Sequence, residues 1–104
     1  MEKIIKVLFI QTQISSITED KLHNHGICPI SCSLWAYETG EIILENIDVI
    51  AYGMHAYDSG IKVSVNKPRF IYTTVPEYFQ DTNDKIFSKN LSAETLAEKI
   101  KQLA

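Results

Sequence analysis

Ile30-Ser31-Cys32-Ser33-Leu34-Trp35-Ala36-Tyr37-Glu38-Thr39-Gly40-Glu41-Ile42-Ile43-Leu44 is the stretch on which the reading of the fold turns. From Ile30 the chain alternates. Ile30, Cys32, Leu34 and Ala36 fall on one side and Ser31, Ser33, Trp35 and Tyr37 on the other, the period of a half-buried strand. Thr39-Gly40 has the composition of a two-residue hairpin loop. Such a loop sets Tyr37 opposite Ile42 and Trp35 opposite Leu44 on one surface, with Ala36 opposite Ile43 on the other. The apolar phase then passes from Ile42 and Leu44 to Ile47, Val49 and Ala51, a change that a bulge at Glu45-Asn46 would produce. An antiparallel hairpin is the expected unit.

Toward the N-terminus, Ile4 to Gln13 is apolar on both faces at Val7, Leu8, Phe9 and Ile10, as in a strand covered from two sides, so it is placed centrally in the sheet. The run stops at Gln11 with no small-residue cleavage site, so it is expected to be neither a signal peptide nor a membrane span. Ser16-x-x-Glu19 has capping-box spacing and Gly26 a stop residue, which together predict a short helix or turn between them.

Toward the C-terminus, Gly53 to Gly60 reads as a loop. Ile61 to Val65 and Phe70 to Val75 read as a second hairpin joined across Asn66-Lys67-Pro68-Arg69. Glu77 to Asn90 mixes aromatics with turn formers and leaves room for a short helical piece. The last element is the clearest. Ser92 is a good N-cap, Leu91 and Leu96 have the spacing of a hydrophobic staple, and Glu94 suits a helix N-terminus. Leu96, Ile100 and Leu103 form an apolar stripe that needs a sheet to cover, while Lys99 and Lys101 suit the far end. The expected architecture is one α+β domain over residues 1–104, a mainly antiparallel sheet of about five strands packed on a C-terminal amphipathic helix.

Composition agrees with a single globular domain: 104 residues, 45% hydrophobic and 22% charged, with only 4 Gly and 3 Pro. A domain of this size has little depth for a large cofactor, and none is expected. Two cysteines and no export signal point to a reducing cytoplasm with free thiols.

His23, His25, Cys28 and Cys32 are the residue types of a tetrahedral zinc shell. Their spacing, His-x-His-x2-Cys-x3-Cys, is purely local, whereas structural zinc sites use separated ligand pairs to staple distant segments, so a metal is the alternative rather than the leading reading. A thiol nucleophile needs a base, and Cys28 with His55 and Asp58 can be drawn, although nothing in the sequence fixes their geometry. There is no Gly-rich phosphate loop, Walker lysine, His-Glu-x-x-His helix or Gly-x-Ser-x-Gly elbow. Enzyme chemistry is not expected.

Charge is more informative. No Lys or Arg occurs between Lys21 and Lys62, an interval that holds Glu38, Glu41, Glu45, Asp48 and Asp58 and is net −5, while the rest of the chain is net +2. An acidic hairpin repels phosphate backbones, so nucleic acid is disfavoured despite Lys62, Lys67 and Arg69. A basic protein would be attracted instead. Trp35 and Tyr37 either join those carboxylates as an exposed interface or form a second core layer beneath residues 76–90. The expected function is a non-catalytic module that binds a basic protein through Trp35, Tyr37, Glu38, Glu41, Glu45, Asp48 and Asp58. Its concrete form is an immunity protein neutralising a nuclease-type toxin domain. A homodimeric structural subunit closing on an exposed sheet edge or on the Trp35 surface is a further alternative.

Overall fold

A computed structural model describes residues 4–40, 44–54, 56, 67–79 and 84–104. Five strands form one sheet: β1 (Ile5–Ile10), β2 (Ile27–Cys32), β3 (Val49–Tyr52), β4 (Arg69–Thr73) and β5 (Lys85–Ser88), in the order β2-β1-β3-β4-β5. Every pairing is parallel. The α+β expectation of a five-stranded sheet packed with a C-terminal helix stands, but the antiparallel arrangement is overturned.

The chain departs from a hairpin between Ile30 and Gly40. β2 ends at Cys32, and Ser33 caps a short helix α2 (Leu34–Glu38), its Oγ accepting from the Ala36 N–H at 3.1 Å. Serine at an N-cap satisfies a helix donor that a strand would leave to a neighbouring chain. Gly40, at φ 74°, follows the C-cap Thr39 as the left-handed residue that ends a helix rather than one that turns a hairpin. Trp35 and Tyr37 therefore sit on a helix and face no partner strand. Glu45-Asn46 belongs to a 3-10 turn (Leu44–Asn46) rather than a bulge. β1 lies between β2 and β3, so these two strands do not pair with each other; Ile42 and Ile43, which the hairpin set opposite Tyr37 and Ala36, lie outside the described residues.

The second hairpin fails for a related reason. β4 has β3 on one side and β5 on the other, so both its edges are filled by parallel neighbours; residues 61–65 lie outside the described residues. β5 falls within Glu77 to Asn90, the stretch of mixed aromatics and turn formers.

Parallel neighbours require crossover connections, and these coat both faces of the sheet. On the first face, helix α1 (Ser16–Asn24) brings Leu22, and helix α3 (Ala93–Leu103) brings Leu96, Ala97 and Ile100, onto Val7, Phe9, Val49, Ala51, Phe70, Tyr72 and Phe87. Phe70 stacks on Phe87 at 4.6 Å between centroids and meets Phe9 edge-on at 6.2 Å. Such pairs contribute roughly 0.5–1.5 kcal/mol beyond their buried area. On the second face, Leu8, Ile10, Ile50, Tyr52 and Ile71 are covered by Ile47, Ala56 and Phe79, with Leu34 and Tyr37 of α2 packed against them. β1 is buried from both sides, as its sequence predicts, but it lies second from the margin of the sheet, and β3 holds the centre.

Both long helices start where serine chemistry puts them. Ser92 Oγ accepts from the Thr95 N–H at 3.2 Å, and Leu91 packs on the first-face core, as the sequence predicts. α1 is capped by Ser15 rather than Ser16, its Oγ accepting from the Thr18 N–H at 3.2 Å, and Gly26 beyond it has φ 78°. Pro29 lies within β2, which forms one margin of the sheet.

Candidate functional site

The strand order reverses direction between β1 and β3: the chain goes outward from β1 to β2, then returns across it to β3 and continues to β5. In such doubly wound sheets the connections leaving the carboxyl ends of the strands at this switch point diverge to opposite faces and leave a crevice outside the sheet. A cleft of about 770 Å³ opens there. Gln11, Thr12, Gln13 and Ile14 enter from the end of β1, and Ser31, Cys32 and Ser33 from β2. Gly53 and Met54 follow β3, Tyr72 to Val75 close β4, and Lys89 follows β5.

Local chemistry fixes the walls. Gln11 has φ 50°, the one non-glycine residue in the left-handed region among the described residues. That conformation costs roughly 1–2 kcal/mol for an L-residue. Two hydrogen bonds hold it: the Gln11 N–H donates to the Cys32 carbonyl at 2.9 Å, and the Leu34 N–H donates to Gln11 Oε1, also at 2.9 Å. The side chain thus ties the β1 loop to the first turn of α2. Thr12 Oγ1 donates to the Tyr72 carbonyl at 3.2 Å, bridging the β1 loop to β4 across the end of β3. Gly53 lies beneath this bridge, and a Cβ there would stand 3.1 Å from Thr12 Cβ and 3.2 Å from the Gln11 carbonyl oxygen.

Lys89 is the only charged residue in the lining, and no carboxylate or histidine joins it among the described residues. Its backbone N–H donates to the Thr73 carbonyl at 2.8 Å and its Nζ lies 5.4 Å from the centroid of the Tyr72 ring. Partial burial lowers the Lys89 pKa and raises that of the Tyr72 phenol, in each case because the charged form loses water. Thr73 is buried and its Oγ1 accepts from the Val75 N–H at 3.1 Å, and Ser33 Oγ likewise accepts from Ala36. In both, the hydroxyl proton remains to be donated. Among the described residues the cleft is rich in donors and poor in anions.

The residues singled out in the sequence fall mostly elsewhere. Cys32 lines the cleft, but burial pushes its thiol pKa up, away from the thiolate that a nucleophile or metal ligand needs. Cys28 and Cys32 are four residues apart on one strand, about 13 Å at strand rise. His23 lies in the last turn of α1 and His25 just beyond it, and no group of three or more metal-ligating side chains occurs among the described residues. His55 and Asp58, the remainder of the drawn thiol triad, lie outside the described residues.

Of the partner-binding set, Trp35 is 64% exposed and Glu38 and Glu45 are exposed. Tyr37 packs against the second-face core. An Asp48 carboxylate oxygen accepts from the Lys6 N–H at 2.9 Å, a bond that fastens β1 at the start of β3. Glu41 and Asp58 lie outside the described residues. The basic group also dissolves: Lys67 Nζ donates to the Ile47 carbonyl at 2.7 Å and Arg69 Nε pairs with Asp84 at 2.9 Å, while Lys62 is outside the described residues.

Gln11, Thr12, Gly53, Thr73 and Lys89 were not singled out in the sequence. Their shared signal is position: each terminates or follows a strand at its carboxyl end, which becomes readable only once the strands are known to be parallel. No helix among the described residues is long and apolar enough to cross a membrane. Comparison with protein-family models finds no match, and comparison with curated proteins finds none either.

Proposed function

We propose that this protein is a binding domain for a small anionic ligand, of phosphate or carboxylate type, held in the cleft at the carboxyl ends of β1 to β5. The observation that carries the reading is the chemical asymmetry of the lining. A chain with 13 acidic and 10 basic residues places, among the described residues, one lysine, no carboxylate and the undonated hydroxyls of Ser33 and Thr73 around its cleft. Anion binding matches that inventory, because each donor finds an acceptor and the lysine a counter-charge. α1 begins directly after the β1 loop, and its N-terminal dipole adds to the same preference. With its one thiol pushed toward the neutral form, and without a histidine or carboxylate among the described lining residues, the cleft suits binding rather than covalent chemistry.

The test is a titration of 15N-labelled protein with inorganic phosphate, and with acetate as the carboxylate probe, at low ionic strength. Shifts confined to the β1 loop, Ser33, Thr73 and Lys89, weakened by Lys89→Met, are expected. Absence of shifts with both probes at tens of millimolar, or shifts unchanged in Lys89→Met, would sink the reading.

A second reading keeps the protein-binding role. Trp35 is exposed on α2, one helical turn from exposed Glu38, and exposed aromatics flanked by carboxylates suit a basic protein surface. The immunity-protein role against a nuclease-type toxin is its concrete form. Replacing Glu38, Glu41 and Glu45 with Gln, and Trp35 with Ala, should slow association with a cationic toxin domain at low salt; unchanged rates would remove this reading.

A further inference from the structure

The Gln11 carboxamide has one orientation. Its Oε1 accepts from the backbone N–H of Leu34, and only the oxygen of a carboxamide accepts a hydrogen bond, so its Nε2–H2 group is fixed by elimination on the other side. That group has no hydrogen-bond partner among the described residues. Gln11 itself lines the cleft, and its left-handed backbone goes together with a side chain bonded to the first turn of α2. An off-region backbone, maintained by two hydrogen bonds and presenting two solvent-exposed donors beside a cleft, is the geometry of a preorganised contact.

We infer that Gln11 is the residue that orients the ligand, its Nε2–H2 donating to the anion while the Leu34 N–H holds its Oε1. This rests on the anion-binding reading of the cleft. Lys89 then supplies charge from the β5 side and Gln11 supplies direction from the β1 side, so the ligand is gripped across the β1/β3 switch point.

The substitution that isolates the role is Gln11→Glu. It keeps the shape and keeps an oxygen for the Leu34 N–H, yet replaces the donor group by a negative charge facing the anion. Inorganic phosphate is the probe, followed by titration calorimetry and by the side-chain amide resonances of Gln11 in the wild type. Expected results are a loss of phosphate affinity of about tenfold or more in Gln11→Glu, the worth of one charge-assisted bond, with an unchanged melting temperature. The Gln11 Nε2–H2 resonances should move on titration, which a purely structural cap would not produce.

If Gln11→Glu is poorly folded, Gln11→Met supplies the comparison, since it removes the donor without adding charge and should still weaken binding. Wild-type binding with equal affinity in Gln11→Glu and unmoved amide resonances would overturn the role of Gln11 while leaving the cleft reading intact. No binding of phosphate by the wild type would overturn the inference directly; if acetate also failed to bind, the reading beneath it would fall as well.

Discussion

Gly53→Ala tests the cleft's construction with a single methyl group. Gly53 is not in the left-handed region, so its backbone does not itself require glycine; the requirement is space. The new Cβ would lie 3.1 Å from Thr12 Cβ, 3.2 Å from the Gln11 carbonyl oxygen and 3.3 Å from Thr12 Oγ1. These neighbours must yield by a few tenths of an ångström, and they yield poorly. The Thr12 hydroxyl is tied to Tyr72, and the Gln11 backbone is held by its bond to Cys32. Overpacking of this kind costs about 1–3 kcal/mol. The lower entropy of the unfolded chain offsets about 0.4–1 kcal/mol of it. A net destabilisation of about 1–2 kcal/mol is expected, which lowers the melting temperature by roughly 4–8 °C per kcal/mol for a domain near this size.

Urea denaturation monitored by circular dichroism, with the slope m held constant, is the assay. Thr12→Ala in the Gly53→Ala background removes the hydroxyl that faces the new methyl group and its bond to Tyr72, freeing the loop to move. The pair should therefore be less destabilised than the sum of the single changes. Gly26→Ala is the control, because there φ is 78° and nothing lies within 4 Å, so its cost is conformational and independent of Thr12. Gly53→Ala as stable as the wild type, or additive with Thr12→Ala, would refute the account of a loop pinned over β3.

Three further outcomes follow from the same structure. Ser33→Ala removes the α2 cap and should cost about 1 kcal/mol, with loss of hydrogen-exchange protection at Ala36; an unaffected Ala36 amide would mean that the cap does not hold the helix. Leu96→Ala empties a fully buried site beneath α3 and should cost about 2–5 kcal/mol in urea denaturation; a loss under 1 kcal/mol would mean that the helix does not seal the first face. In a Cys28→Ser protein, Cys32 should be alkylated at pH 8 more slowly when folded than in urea, because burial raises its pKa above the ordinary 9.0. The sign for stability follows: a raised folded pKa stabilises fully below pH 9 and the contribution fades as pH climbs through the folded value, so a Cys32→Ser comparison should converge above it.

Much of the fold is legible in the chain, and the misreading has a definite cause. β1 and α3 announce themselves: one is apolar on both faces, the other has a serine cap and an i, i+4, i+7 stripe. The apolar runs Val49-Ile50-Ala51-Tyr52 and Phe70-Ile71-Tyr72 carry the same two-sided signature as β1, which belongs to parallel strands sandwiched between helices. The alternation of Ile30, Cys32 and Leu34 outweighed it, although Ser33 before a five-residue segment ending in Thr39-Gly40 fits a capped and terminated helix equally well. Local sequence does not separate a glycine that stops a helix from one that turns a hairpin; the partner that fills the sheet position decides. The site was hidden by the same step, since Gln11, Gly53 and Lys89 are far apart in sequence and meet only when strands run in one direction.

Pro29 has a consequence for how copies of this protein coexist. The bonds from Ile5 N–H to the Gly26 carbonyl and from Gln11 N–H to the Cys32 carbonyl show that even-numbered residues of this segment turn their backbone groups toward β1. By alternation, Ile27, Pro29 and Ser31 turn theirs away from the sheet. Proline has no N–H, so the outward row of donors is broken at its middle, at no cost to the inward ladder. A second molecule laid along this margin would meet a missing bond and a ring where it needs a donor. The opposite margin, β5, is four residues long and begins with an exposed lysine. Short, charged or proline-bearing margins resist the zipping of one sheet onto another. Edge-to-edge pairing of copies is thereby opposed at both margins that the described strands form.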